Sequence, residues 1–290
     1  MDLRNFAKVL ENKLKMIYGG NANIVLRENL LLNKEEKLQL EIAEKGEGTG
    51  FMVGVKTLFD CFQEGMQLDE IVYEVSKLCE ERKGKVEKIE RIMARIMSGD
   101  KEYIKQRLYV ELINYEWNQE KLEKIPYVKK LDLALVYRIL MEQDEEERSS
   151  ILITNDIVEK LHLTTEDLAY AMENTERLFP AKLQSLSDIL GVALEEESFY
   201  CLTNMESQNG AAMMFLSNKI KEFSRKKGKS CYILPSSVHE VLLLEADNKE
   251  EKKIFESMVR NINETEVKPE DRLSNHIYFY DKEKEEIEII

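Results

Sequence analysis

Lys229 to Asp247 reads KSCYILPSSVHEVLLLEAD, and this stretch decides the fold. Cys231 to Leu234 is an apolar run with the brevity of a buried strand, and Val241 to Leu244 is a second one. Between them Pro235 fixes its own φ and supplies no N–H, so the first strand must stop there. Ser236 and Ser237 then offer hydroxyls to the freed backbone groups of a corner. Working outward, Phe199 to Thr203 predicts another strand, and Gly210 to Phe223 a helix. Lys249 to Ile262 predicts a helix with Ile254, Met258 and Val259 facing inward. Ile277 to Tyr280 and Glu286 to Ile290 predict a hairpin around Asp281 to Lys284. Strands and helices thus mix without a regular βαβ rhythm. The expected fold is α+β: a mixed, largely antiparallel sheet with packed helices and an N-terminal helix-rich part.

Upstream the same reasoning continues. Leu3, Phe6, Ala7, Leu10, Leu14 and Ile17 fall on one face of a first helix, which Gly19 and Gly20 end. Strands follow at Asn23 to Leu32 and Lys37 to Ala43, joined by a turn at Asn33 to Glu36; Phe51, Val53 and Val55 alternate briefly before a helix towards Gly65. Two further helices carry the stripes Leu68, Ile71, Val72, Val75, Leu78, Cys79 and Val86, Ile89, Met93, Ile96, with Gly84 between them. Ser98-Gly99-Asp100 then divides a region 1–98 from a region 101–290. In the second region Leu108, Val110, Leu112 and Leu131, Leu133, Leu135, Tyr137, Ile139 mark strands around a short helix that stops before Pro126. Ile151 to Ile153 is a strand ending at a Thr154-Asn155 helix cap. Thr164 with Asp167 resembles a capping box, and Ala181 to Leu190 reads as another helix.

Composition excludes several function classes. The chain has 290 residues, 43% hydrophobic and 34% charged, with a formal charge of −14. That average field repels a phosphate backbone and argues against nucleic acid as a partner. The cations Arg225, Lys226, Lys227 and Lys229 cluster at a predicted helix C-terminus, where the exposed carbonyls attract them. Cys61, Cys79, Cys201 and Cys231 form no CxxC pair and suit free thiols in a reducing compartment. The opening MDLRNFAKVLENKLKMIYGG has no signal-like apolar region, and no segment reaches the roughly 18 apolar residues of a membrane span. A cytoplasmic protein is expected, with no membrane role and no cofactor signature.

Several segments together resemble a family of clostridial Firmicutes known as domain of unknown function 5688. They are LDLALVYRIL at Leu131 to Leu140, ILITNDIVEKL at Ile151 to Leu161, ENTERLFP ending at Pro180, YCLTN at Tyr200 to Asn204, and NGAAMMF at Asn209 to Phe215. YILPSSVHEVLLL from Tyr232, MVRNINETEV from Met258 and LSNHIYFY from Leu273 complete the set. The family pattern often has a His after the Pro that precedes LDLA; this chain has Tyr127 there, so a role for that His has no counterpart. The resemblance implies a bacterial cytosolic protein and names no reaction.

Three chemical readings compete with a structural one. Ser236, Ser237, His239 and Glu240 contain the residue types of an activated nucleophile, but in an extended segment His239 and Glu240 point to opposite sides, so Glu240 is ill placed to orient the ring. His239 and His276 lie beside predicted strands and form a candidate metal pair, with Glu240 or Asp281 to complete it, though without HExxH-like spacing. Thr203, Asn204, Asn209 and Gly210, near Ser236 and Ser237, outline a polar pocket for a small ligand. Tyr109, Tyr115 and Trp117 suggest an aromatic contact surface or half-buried strand packing. The favoured expectation is a non-enzymatic binding or accessory module for a protein or small ligand; the alternative is a hydrolase or metal-dependent enzyme centred on Ser237 and His239.

Overall fold

The structure is a computed structural model that describes residues 1–28, 32, 38–45, 50–81, 83–143, 148–191, 199–246 and 248–290. The turn expected at Asn33 to Glu36 lies outside these residues, whereas Gly84, expected between two helices, falls in the first turn of the second of them, Lys83–Met97. The chain divides into two compact units, Met1–Ser98 and Gly99–Ile290.

The first unit opens with α1 (Leu3–Tyr18), capped by the Asp2 carboxylate on the Asn5 N–H and ended by Gly19 at φ 54°, whose N–H returns to Lys15 O. β1 (Ala22–Glu28), β2 (Leu38–Glu44) and β3 (Phe51–Gly54) form an antiparallel sheet in that order. α2 (Val55–Gln63), α3 (Leu68–Glu81) and α4 (Lys83–Met97) follow. Phe6, Leu10 and Leu14 of α1 bury against Ile24 and Leu40 of the sheet and Phe59, Ile71 and Val75 of α2 and α3. The Phe6 ring sits 5.3 Å from Phe59 and 5.2 Å from Phe62. Ile17 departs from expectation. It falls in the last turn, beyond the packed stripe, and is 62% exposed.

The second unit is built in two sheets. α5 (Lys101–Lys105) and β4 (Leu108–Asn114) lead through a 3₁₀ turn and α6 (Gln119–Leu122) to β5 (Tyr127–Lys130), β6 (Leu133–Gln143) and β7 (Arg148–Leu152). β6 is the central strand: β4 pairs along one side, β5 and then β7 along the other. Strand β5 was not legible in the pattern, and Leu131, read as its neighbour's first inward residue, is instead a turn residue at φ 59°. The two-residue turn Leu131-Asp132 is what permits the short hairpin.

Helices α7 (Asn155–Leu161) and α8 (Thr165–Leu178) begin at Thr154 and Thr164, and the second has the full capping box with Asp167. Two side chains of α8 cover the outer edge of β4. Thr175 Oγ1 accepts the Val110 N–H at 2.9 Å, and Asn174 Nδ2 donates to Leu108 O at 2.7 Å.

The second sheet runs β13-β12-β10-β11-β9-β8, antiparallel throughout. Its members are β8 (Ala181–Ser185), β9 (Phe199–Asn204), β10 (Ser230–Leu234), β11 (Val241–Ala246), β12 (Tyr278–Asp281) and β13 (Glu286–Ile289), with α9 (Leu186–Leu190), α10 (Met213–Leu216), α11 (Lys219–Lys227) and α12 (Lys252–Thr265) between them. The α+β expectation holds. The expected helix over Ala181 to Leu190 does not: its first half is β8, because a ladder with β9 outweighs the local helix propensity of AKLQS. The expected helix from Gly210 to Phe223 is a 3₁₀ turn plus α10 and α11, broken at Ser217, whose hydroxyl turns back to Met213 O.

Tyr232, Leu244 and Phe279 face α12, where Tyr232 meets Phe255 at 4.9 Å and Val259 is buried. Ile254, expected inward, is 67% exposed. On the opposite face of the sheet, Tyr200 meets Phe223 of α11 at 4.9 Å. That second face also carries Tyr278 and Tyr280.

Candidate functional site

The Pro-Ser-Ser corner closes the β10–β11 hairpin. Ser236 Oγ lies 2.9 Å from Glu240 Oε1 and 3.1 Å from Glu240 O; Ser237 Oγ donates to Glu240 Oε1 at 3.0 Å and accepts the His239 N–H at 3.0 Å. Glu240 therefore holds the two serines rather than the imidazole. Ser237 is only 7% exposed. The corner is anchored to the next segment by the Val238 N–H, which donates to Asp271 O at 2.8 Å.

His239 is held by its neighbours on both ring nitrogens. Nδ1 accepts the Asn209 N–H at 3.1 Å, so the neutral ring carries its proton on Nε2, which faces Asp271 Oδ1 at 3.4 Å. Asn209 reaches further: its Nδ2 donates to Glu111 Oε1 at 2.9 Å, and Glu111 Oε2 lies 3.3 Å from Arg138 Nε. A polar chain thus joins the corner to β4 and β6. Burial, with the Glu240 carboxylate adding to it, pushes the nearby Cys201 thiol up to about 11.

The residues expected to form a ligand pocket do come together, as a close-packed knot. Thr203 Oγ1 donates to His239 O at 2.7 Å and the Gly210 N–H to the same oxygen at 2.9 Å. Asn204 grips Gln208, accepting its N–H at 3.2 Å and donating to its carbonyl at 2.8 Å. Asn209 sits at φ 52°. A Cβ on Gly210 would fall 2.3 Å from Thr203 Oγ1 and 2.5 Å from Asn204 N, which explains glycine there.

His276 belongs to a different cluster. The buried Asp132 carboxylate accepts from Ser274 Oγ at 2.7 Å and Tyr278 OH at 2.8 Å, and His276 Nδ1 lies 3.0 Å from Oδ2. Facing a carboxylate, Nδ1 is the donor, which leaves Nε2 on the outer side of a ring whose side chain is 48% exposed. Burial, reinforced by the Asp132 charge, pushes the Tyr278 phenol well above its ordinary range. Asn263 of α12 adds a 2.8 Å bond to Ser274 O. Among the described residues no three His, Cys, Asp or Glu side chains are grouped to hold a metal ion.

Asp132, Ser274, Tyr278, Glu111 and Asp271 escaped the sequence reading. One signal was present: Asp132 interrupts the apolar run of LDLALVY, and a carboxylate inside such a run needs buried partners. The aromatic group separates: Tyr109 is buried against Phe179, Tyr115 meets Tyr127 at 5.9 Å, and Trp117 stays exposed.

A cleft of about 550 Å³ opens elsewhere in the same unit. It lies between β5, the α10–α11 break and the β12–β13 hairpin, with Lys129, Lys130, Asn218, Ile220, Glu286 and Ile287 among its lining. Lys221 at its margin pairs with Glu285, which Arg225 also contacts at 3.0 Å.

No helix among the described residues is long and apolar enough to cross a membrane, and the four cysteines are free. Comparison with curated proteins and with solved structures gave no match. A family model does match residues 3–282, nearly the whole chain and both of its units. The chain belongs to that family, a family of unknown function (DUF5688).

Proposed function

We propose that this protein is a non-enzymatic binding module of the cytoplasm, taking a protein segment or small molecule in the cleft beside β5. The observation that carries this reading is the engagement of every reactive group at the corner. The two serine hydroxyls are fixed on Glu240, and His239 Nδ1 is filled by a main-chain N–H. A serine hydrolase needs the opposite arrangement, with the hydroxyl on the imidazole. The cleft has the size of ordinary ligand sites, which run from about 300 to 1,000 Å³. Free thiols support a reducing compartment. We also read regions 1–98 and 101–290 as separable domains, which limited proteolysis near Ser98-Gly99-Asp100 tests directly.

The test of function is recovery of the native protein from its source, followed by mass spectrometry of what stays bound. Asn218 is exposed on the cleft wall, so Asn218→Trp fills the space without touching the core. Loss of the bound species in that variant is expected; retention rules the cleft out. In parallel, hydrolysis of p-nitrophenyl acetate is expected to be unchanged by Ser237→Ala. A large loss of rate revives the hydrolase.

A further inference from the structure

We infer that the open edge of β5 seats an extended, acidic segment of a partner protein; this rests on the cleft reading above and specifies its occupant. The two sides of the first sheet are treated differently. β4's outer edge is closed by Thr175 and Asn174, which occupy the Val110 N–H and the Leu108 carbonyl. β5 pairs with β6 alone, and no main-chain group of Tyr127–Lys130 meets any other partner among the described residues. An unpaired row of N–H and C=O groups is a template for one more strand.

The space beside that edge is present. The cleft of about 550 Å³ is lined by Lys129 and Lys130 of β5, by Met214 and Ile220, and by Glu286 and Ile287 of β13. Charge selects the occupant: of the carboxylates lining the cleft, Glu285 is held by Lys221 and Arg225, which leaves Glu286 of the hairpin to set against Lys129 and Lys130 on the edge itself. Lys130 has no ion-pair partner among the described residues, and Lys129 lies 3.9 Å over the Tyr115 ring. A strand laid along β5 sets its side chains opposite these lysines, where Asp or Glu is favoured and Lys or Arg opposed. The same lysines discourage two copies of β5 from pairing with each other. On a chain carrying −14, they mark a local exception to a field that turns acidic partners away.

The experiment uses the full chain and three fluorescein-labelled peptides: (Val-Glu)₃, (Val-Lys)₃, and (Val-Glu)₃ N-methylated at every residue, so that neither edge of the strand keeps a donor. Fluorescence anisotropy is expected to show the acidic peptide binding at least tenfold more tightly than the lysine peptide, with N-methylation abolishing it. Lys129→Glu with Lys130→Glu is expected to reverse that preference, thermal melts confirming that the variant is folded. Equal binding of the two charge types, or no change on reversal, overturns the inference. So does unimpaired binding of the N-methylated peptide, which makes the site a charge pocket rather than a strand seat. Self-association of the chain that the acidic peptide cannot displace overturns it too, by making a second copy the occupant. If no peptide binds but a species co-purified from the source is lost in Asn218→Trp, the strand seat fails and the cleft reading stands. If Asn218→Trp leaves both peptide and co-purified species in place, the cleft reading itself fails.

Discussion

Two histidines of the second unit, His239 and His276, face carboxylates in opposite ways. His239 lies in the most distinctive motif of the sequence, yet its Nδ1 accepts a backbone N–H and its Nε2 faces Asp271. His276 lies in a plainer stretch, with one nitrogen on a buried carboxylate and the rest of its ring outside. The contrast separates distinctiveness from availability. Around the corner, Gly210, Thr203, Asn209 and Ser237 have each become conditions for one another's placement, so residue identity there follows from close fit. At Asp132 the buried carboxylate is the demanding member, and the histidine is its least buried partner.

The comparison breaks first at Asp132. Asp132→Ala strips the acceptor from two buried hydroxyls as well as from His276, and a cost of about 3–5 kcal/mol is expected in urea denaturation. A cost under about 1 kcal/mol instead means that water replaces the carboxylate. Gly210→Ala comes next, at roughly 2–3 kcal/mol, since the new methyl meets main chain that cannot step aside. His239→Ala should cost on the order of 1–3 kcal/mol and Ser237→Ala about 1 kcal/mol, both read from the same denaturation midpoints. Unchanged or raised midpoints in both variants turn the corner back into a site of chemistry. His276→Ala is expected to have the smallest effect, within about 0.5 kcal/mol, as for an ordinary surface change. Nitrogen-15 spectra of the imidazoles sharpen the contrast without a mutation: as neutral rings, His239 should hold its proton on Nε2 and His276 on Nδ1. Matching tautomers would refute it.

Periodicity exposed most of the fold. The β10, β11 and β9 strands, the capping box at Thr164 and the glycine end of α1 each rest on local physics that the sequence carries in full. What stayed hidden depended on distant partners. AKLQS becomes a strand only because β9 is beside it, and YVKK only because a two-residue turn folds it onto β6. Ile17 and Ile254 lie on apolar stripes, and no period reveals where along a stripe contact stops. Of the corner, the residue types and their convergence with Thr203 and Gly210 were readable. That the hydroxyls turn to Glu240 was not, because loop backbone rather than strand alternation aims them.

The side chains of Thr175 and Asn174 on β4 have a consequence for stoichiometry. A sheet that can lengthen from both sides is a bifunctional monomer and supports open-ended polymers. With β4 occupied by its own helix, this sheet can lengthen only along the side that carries β5 and β7. A strand added there presents an outer edge of its own, but the β4 side offers none, so the sheet cannot propagate in both directions. Association through β5 is therefore expected to add strands on one side only, so the far side, where the cap acts as a chain terminator, does not double the number of segments per chain.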